Sequence, residues 1–149
     1  MDVSTSIVTM SHEALEKVYR LEEEMLDLPT QVLLETIHLF HAGVYHRTVF
    51  IPAGTLVAGA FVKIDTTVIV HGDVTVFVDG EPLLLTGHNV LSAYAGRKQA
   101  VLAHTDTYYT MSFATDAKTL EEAEAEFTDE HENLGSRREG SVNKMITGG

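Results

Sequence analysis

The chain has 149 residues, enough for one domain with a sizeable core and too few for two; 44% are hydrophobic and 21% charged, the composition of a globular protein rather than a disordered or fibrous one. The absence of cysteine excludes a disulfide framework, a thiolate nucleophile and a Cys-ligated zinc site. Twenty-two Asp and Glu against ten Lys and Arg leave a formal charge of -12, and such a surface repels a phosphate backbone, so direct nucleic-acid binding is not expected.

In chain order, residues 11–28 read as a helix. Ser11 stands at its cap, Glu13 and Glu16 near its start, and Ala14, Val18, Leu21, Met25 and Leu28 recur at steps of four and three. Pro29 is expected to end it, because a proline disfavours helical geometry in the residue before it. A single apolar stripe implies packing on a sheet or on one other helix. These first thirty residues lack the basic start and apolar middle of a signal peptide, and no apolar run approaches the roughly 18 residues of a membrane span, so neither secretion nor membrane insertion is expected.

From Gln31 to Phe113 the pattern changes to short strands. Residues 44–51, 74–78 and 107–113 are rich in β-branched and aromatic side chains. Gly43, Gly54, Gly59, Gly72, Gly80, Gly87 and Gly96 punctuate them, and Asp79-Gly80 between Val78 and Pro82 is a hairpin signal. Many short strands at this spacing predict an all-β sandwich or barrel, with no βαβ alternation. Beyond Thr115, Thr119-Leu120-Glu121-Glu122 fits a capping box and predicts an acidic helix to about Phe127. Residues 128–149 are polar and end in Gly148-Gly149, the composition of a loose tail. The expected organisation is an N-terminal arm and helix (1–30), a β-barrel (31–115), and an acidic helix with a polar tail (116–149).

The order of several short blocks carries a family likeness. Leu26-Asp27-Leu28-Pro29, His38-x-Phe40, Gly43-x-Tyr45-x-Arg47, Pro52-x-Gly54-Thr55, Gly72, Gly96 and the turn from Ala103 to Thr107 resemble a small cupin-like family common in bacteriophage and prophage genomes. The resemblance runs from about Met25 to about Thr115. It implies a mainly β fold, a cupin-like jelly roll (double-stranded β-helix) with a central cavity, here flanked by an N-terminal and a C-terminal α-helix. In cupins that cavity usually holds a divalent metal on histidines and a carboxylate. The resemblance places the first histidine at Val62, the second at Gln99 and the late one near Phe113; no histidine occurs between His46 and His71. Asp65 is the one ligand type left, beside the cation of Lys63. No metal or other cofactor is therefore expected, and Val62, Ile64 and Phe113 are expected to fill the barrel.

The eight histidines offer no clear alternative site. His38, His41 and His46 stand three and five residues apart, which does not put them on one face of a strand. His38 fits a hydrogen-bonding role, and His71, His88 and His104 read as turn residues. There is no Gly-x-Ser-x-Gly and no phosphate-binding glycine loop, so catalysis is not expected. The cations inside the β region, Arg47, Lys63, Arg97 and Lys98, are the notable minority in so acidic a chain, and surface placement or pairing with the acidic helices is the first expectation for them. Arg47, Lys63, Asp65 and Gln99 form the candidate set for a pocket at the barrel mouth, where a small anionic ligand would fit.

Fold does not fix function. The resemblance favours a non-enzymatic structural subunit of a phage particle, such as a head decoration, cement or tail adaptor. Its partners would be further copies of itself and other phage or host proteins, in the host cytoplasm during assembly and then in the virion. A ligand-binding or host-defence-blocking phage protein is the alternative, and a metal-dependent oxygenase or sugar-nucleotide isomerase the third reading.

Overall fold

The computed structural model describes residues 6–28 and 31–147 and is mainly β. Its elements are β1 (Ser6–Ile7), α1 (His12–Leu26), β2 (Glu35–His41), β3 (Val44–Ile51), β4 (Leu56–Ala58), β5 (Thr66–His71), β6 (Val74–Val78), β7 (Glu81–Leu85), β8 (His88–Ala93), β9 (Ala100–Ala103), β10 (Thr107–Ala114), α2 (Leu120–Phe127) and β11 (Val142–Thr147), with two 3-10 turns at His131–Asn133 and Gly135–Arg137. No helix among the described residues is long and apolar enough to cross a membrane.

The pairing of the eight central strands defines the architecture. β3 pairs with β10, β4 with β9, β5 with β8 and β6 with β7, all antiparallel, so the chain behaves as one long hairpin folded at the β6–β7 turn. Side-by-side pairing of β5 with β10 and of β6 with β9 rolls that hairpin into two facing sheets. The orders β8-β5-β10-β3 and β4-β9-β6-β7 are those of a jelly roll. At the fold of the hairpin, Asp79 and Gly80 both have positive φ (49° and 85°), the primed turn that matches strand twist. Gly72, between β5 and β6, is required for another reason: a Cβ there would collide with the Thr107 side chain.

Along β3 and β10 the burial alternates, with Tyr45, Arg47 and Ile51 facing the inside across from Met111 and Phe113. The core is centred on Val68, Val70, Val74, Val76 and Ala103 between the two sheets. Helix α1 begins as its sequence predicts, the Ser11 hydroxyl accepting the Ala14 N–H at 3.2 Å. The Ser11 N–H in turn donates to Asp79 Oδ1 at 2.6 Å, pinning the helix start to the β6–β7 turn. Its buried Ala14 and Val18 pack with Met10 and, on the small sheet, with Phe77 and Ala100, and burying a side chain such as Val18 contributes about 1.5–3 kcal/mol. Pro29, expected to stop the helix, lies outside the described residues, and so do Gly148 and Gly149.

The tail differs from its composition. Residues 142–147 form β11, parallel to β2, while β1 lies parallel to β8, so the two arms occupy the two edges of a seven-stranded sheet. A partly buried network explains the capture of the tail. Asn143 Nδ2 donates to the Ser136 carbonyl at 2.8 Å, which leaves its Oδ1 to accept from His38 Nε2 at 2.9 Å. His38 Nδ1 then accepts the Tyr45 hydroxyl proton at 2.7 Å. Burial, together with the nearby Arg47 charge, holds the His38 imidazole below its usual range despite the Asn143 bond.

Candidate functional site

Between the sheets lies a cavity of about 420 Å³, so the barrel is not filled as the sequence predicts. Val62 forms part of its wall, but Phe113 turns into an aromatic cluster with Tyr45 and Phe127, at centroid distances of 5.5 and 6.1 Å, and Ile64 packs on the surrounding core. The walls come from Val49 and Ile51 of β3, Val57 of β4, Val101 of β9 and Met111 of β10. At the mouth stand Leu26, Leu28 and Val32, each about half exposed, and the turn from Asn133 to Ser136.

The candidate set from the sequence divides. Arg47 and Gln99 line the cavity, whereas Lys63 and Asp65 do not. Both belong to the turn-rich stretch ahead of β5, where the charged side chains reach solvent. Lys63 Nζ pairs with Asp129 at 2.6 Å, and Asp65 Oδ1 accepts the Ala95 N–H at 2.8 Å.

Arg47 is compensated. Its Nη1 lies 3.4 Å from Glu124 Oε2, its Nη2 donates to Ser136 Oγ at 2.8 Å, and its guanidinium stands 5.6 Å from the Phe127 ring centre. Glu124 comes from α2 and is 1% exposed; Arg137 Nε also donates to it, at 2.9 Å. The residues after Gly96 alternate in direction. Lys98, wholly buried, points away from the cavity to Glu22 Oε2 at 3.1 Å and Glu130 Oε1 at 3.2 Å, with its ammonium 4.5 Å from the Tyr19 ring centre. Burial raises the Glu130 carboxyl, but hydrogen bonds from Tyr19 and Phe61 and the Lys98 charge outweigh it and hold the group below its usual range.

Arg97 borders the cavity, which Lys98 does not, and is 1% exposed. Every partner of its guanidinium is a neutral oxygen: Tyr94 O at 2.9 Å, Ile64 O at 3.3 Å and Thr66 Oγ1 at 2.7 Å. Among the described residues it forms no ion pair. Burial lowers its pKa, partly offset by Tyr109 and Asp65, yet a guanidinium stays protonated in a protein. Tyr109, on the inner face of β10, also lines the cavity; burial raises its phenol, and among the described residues its hydroxyl has no hydrogen-bond partner. Gln99, 7% exposed, donates from Nε2 to the Phe77 carbonyl at 3.3 Å, while its Oε1 is buried with no partner. Turning the amide over would set Oε1 against that carbonyl, so the network fixes the orientation. The sequence marks Arg97 only as one of four cations and does not mark Tyr109; strand alternation in β10 is the signal that reaches it.

The histidines lie elsewhere. His46 turns outward to Ser112 Oγ at 2.7 Å, and His104 sits in its expected turn, 2.8 Å from Thr75 Oγ1. His71 and His88 are not turn residues but a cross-strand pair at the ends of β5 and β8, with their Nδ1 atoms 3.1 Å apart.

No protein-family model matches the sequence, and no curated protein matches it. Several solved structures are similar. A cupin superfamily protein from Desulfitobacterium hafniense is 16% identical over 75% of this chain and 100% of its own, with a TM-score of 0.46. An RmlC-like cupin protein from Desulfovibrio desulfuricans is 16% identical over 59% of this chain and 92% of its own, at 0.46. Salicylate 1,2-dioxygenase from Pseudoaminobacter salicylatoxidans is 20% identical over 77% of this chain and 33% of its own, at 0.49. With TM-scores below 0.5, the jelly roll rests on the strand pairing itself. Fold and site together define a jelly roll with a ligand-sized apolar cavity.

A divalent metal, the usual occupant of a cupin barrel, does not fit the donors present. Among the described residues no histidine lines the cavity, its carboxylates Glu22 and Glu130 are engaged by Lys98, and the inner polar groups are two guanidiniums, an amide, a phenol and the hydroxyls of Thr36 and Ser136. Among the described residues no three of His, Cys, Asp and Glu lie close enough to share an ion.

Proposed function

We propose that this chain is a cupin-like binding module that holds a small, largely apolar molecule inside its barrel. The observation that carries the reading is the cavity itself. Its volume of about 420 Å³ falls in the ~300–1,000 Å³ range of small-molecule sites, and its apolar walls hold a few polar groups left without partners. Binding rather than turnover is favoured because the lining, among the described residues, offers no imidazole and no unpaired carboxylate to move a proton.

The test uses N-phenyl-1-naphthylamine, a neutral probe that fluoresces in apolar surroundings. The native protein should bind it saturably, one per chain. Val49→Trp places an indole in the cavity and should abolish that binding while leaving the fold intact; the chain has no other Trp, so a blue-shifted emission reports that the indole is buried. No saturable binding by the native protein, or equal binding by the buried-indole variant, would overturn the reading.

A second reading has its own support. Strand β11 is a sheet edge, and Val142, Met145 and Ile146 on it are each about half exposed. Such an edge suits a subunit that meets other copies or other proteins, as a component of a phage particle would. A discrete closed assembly in native mass measurements, lost on Ile146→Lys, is the expected result; a monomer at all concentrations counts against it.

A further inference from the structure

The cavity is not electrically neutral, and its imbalance describes its guest. Five cations lie in its lining or just behind it: Arg47, Arg97 and Arg138 line it, while Lys98 and Arg137 stand behind, each held by carboxylates. Three carboxylates answer them: Glu124 serves Arg47 and Arg137, and Glu22 and Glu130 serve Lys98. Arg138 is exposed to water, which leaves one buried positive charge without a carboxylate inside a chain whose formal charge is -12. It resides on Arg97, the member whose hydrogen-bond partners among the described residues are all neutral oxygens. A charge taken out of water without a counter-ion is costly, and structures retain one where something else pairs with it.

Two more unmet groups border the same space. Arg97 and Gln99 are two residues apart on one side of an extended segment, and both line the cavity. Gln99 Oε1 is an acceptor that needs a donor. The Tyr109 hydroxyl can donate to an anion held by Arg97. On the reading proposed above, we infer that the guest is an organic monoanion, a carboxylic acid with an apolar body, whose carboxylate pairs with Arg97 and Tyr109 and whose hydroxyl donates to Gln99 Oε1. A single unbalanced charge matches a carboxylate better than a dianionic phosphate. A hydroxyl suits the donor position better than an ammonium, which would oppose the cations around it.

The probes are 3-phenyllactate, 3-phenylpropionate, 3-phenylpropionamide and phenyl phosphate, with dissociation constants measured calorimetrically on the full chain. Phenylpropionate should bind about tenfold or more tighter than its neutral amide, phenyllactate several-fold tighter than phenylpropionate, and phenyl phosphate no tighter than phenylpropionate. In Arg97→Gln the preference of acid over amide should vanish and that of hydroxy acid over plain acid persist. Gln99→Leu should show the reverse. Arg97→Lys, which keeps the charge but loses the planar fork, should fall between native and Arg97→Gln, and naphthylamine binding confirms in each variant that the cavity survives. Should Arg97→Gln not fold, Arg97→Lys and Gln99→Leu carry the test.

The inference is overturned by an amide that binds the native protein as tightly as the acid, by an unchanged acid preference in either Arg97 variant, or by stronger binding of phenyl phosphate. A hydroxyl effect untouched in Gln99→Leu removes the second contact. If the native protein binds naphthylamine but none of the acids, the anion assignment alone fails. If it binds neither, the cavity reading fails with it.

Discussion

Arg97 and Lys98 are neighbours in sequence, both are cations, and both are almost completely buried, yet they live in opposite electrostatic worlds. Lys98 has two carboxylates within 3.2 Å and an aromatic ring beneath it, and it fastens α1 and the segment after α2 to the barrel wall. Arg97 has carbonyls and a hydroxyl as partners and borders the cavity. The contrast separates two uses of a buried charge. One is satisfied within the chain and holds structure; the other is held in place by neutral oxygens and left to meet something from outside. Arg47 belongs to the first kind, tied by Glu124 to α2.

The largest effect that tests this division is expected at Glu124. In Glu124→Gln, Arg47 stays buried without its counter-charge and Arg137 loses its partner as well. Removing one side of a buried pair costs about 3–5 kcal/mol, which a urea melt would read as a large drop in midpoint at unchanged slope. A loss below 1 kcal/mol would show that Arg47 is no better compensated than Arg97.

Lys98→Met comes next, at about 1–3 kcal/mol. Its partners Glu22 and Glu130 are roughly a quarter exposed, so water can take over part of the lost pairing. The same variant should loosen α1, visible as faster amide exchange along residues 12–26. Unchanged protection there would mean that Ala14, Val18 and the Ser11–Asp79 contact hold the helix without the clamp.

A pH effect of intermediate size tests the network beside Arg47. His38 is neutral in the fold, its ordinary value of 6.5 lowered by burial. As pH falls through 6.5 the unfolded chain takes up the proton first, so this contribution to stability is full above 6.5 and declines below it, until the folded imidazole also protonates. One proton limits the slope to about 1.4 kcal/mol per pH unit. His38→Gln should flatten stability between pH 7.5 and 5.5; an equal slope in the variant would assign the dependence to other groups. Glu130, held below its ordinary 4.5, adds a loss of its own only as pH falls below that value.

What the sequence discloses of this molecule follows from the range over which each feature is decided. The Asp79-Gly80 turn, the Ser11 cap and strand β3 are local: turn chemistry, a cap and alternating side chains suffice to read them. The tail is not local. Residues 142–147 look polar and loose because what holds them, Asn143 against His38 and the Ser136 carbonyl, is supplied by β2 and by the turn before β11. The candidate site is legible in part for the same reason. Arg47 could be singled out because it stands in the Gly43-x-Tyr45-x-Arg47 block, whereas Lys63 and Asp65 fall where a short turn sends side chains outward. The inward face shared by Arg97 and Gln99 becomes visible once the segment after Gly96 is known to run extended. An empty interior is the least legible feature, since Val62 and Phe113 are large enough to fill a barrel and only the direction of Phe113 leaves the space open.

The smallest expected effect is the most telling. Arg97→Gln removes a cation that contributes no ion pair, so the relief of burying an unpaired charge offsets much of the loss of its bonds to Ile64 O, Tyr94 O and Thr66 Oγ1. Stability should stay within about 1 kcal/mol of the native protein, well below the losses at Glu124 and Lys98, while a fixed concentration of 3-phenylpropionate should stabilise the native protein more than the variant. A residue kept for the fold would behave in the opposite way, with a melt as damaged as that of Glu124→Gln and no difference between the two proteins in their response to the acid. That outcome would place Arg97 beside Lys98 as a structural cation and erase the distinction between the two faces of the segment.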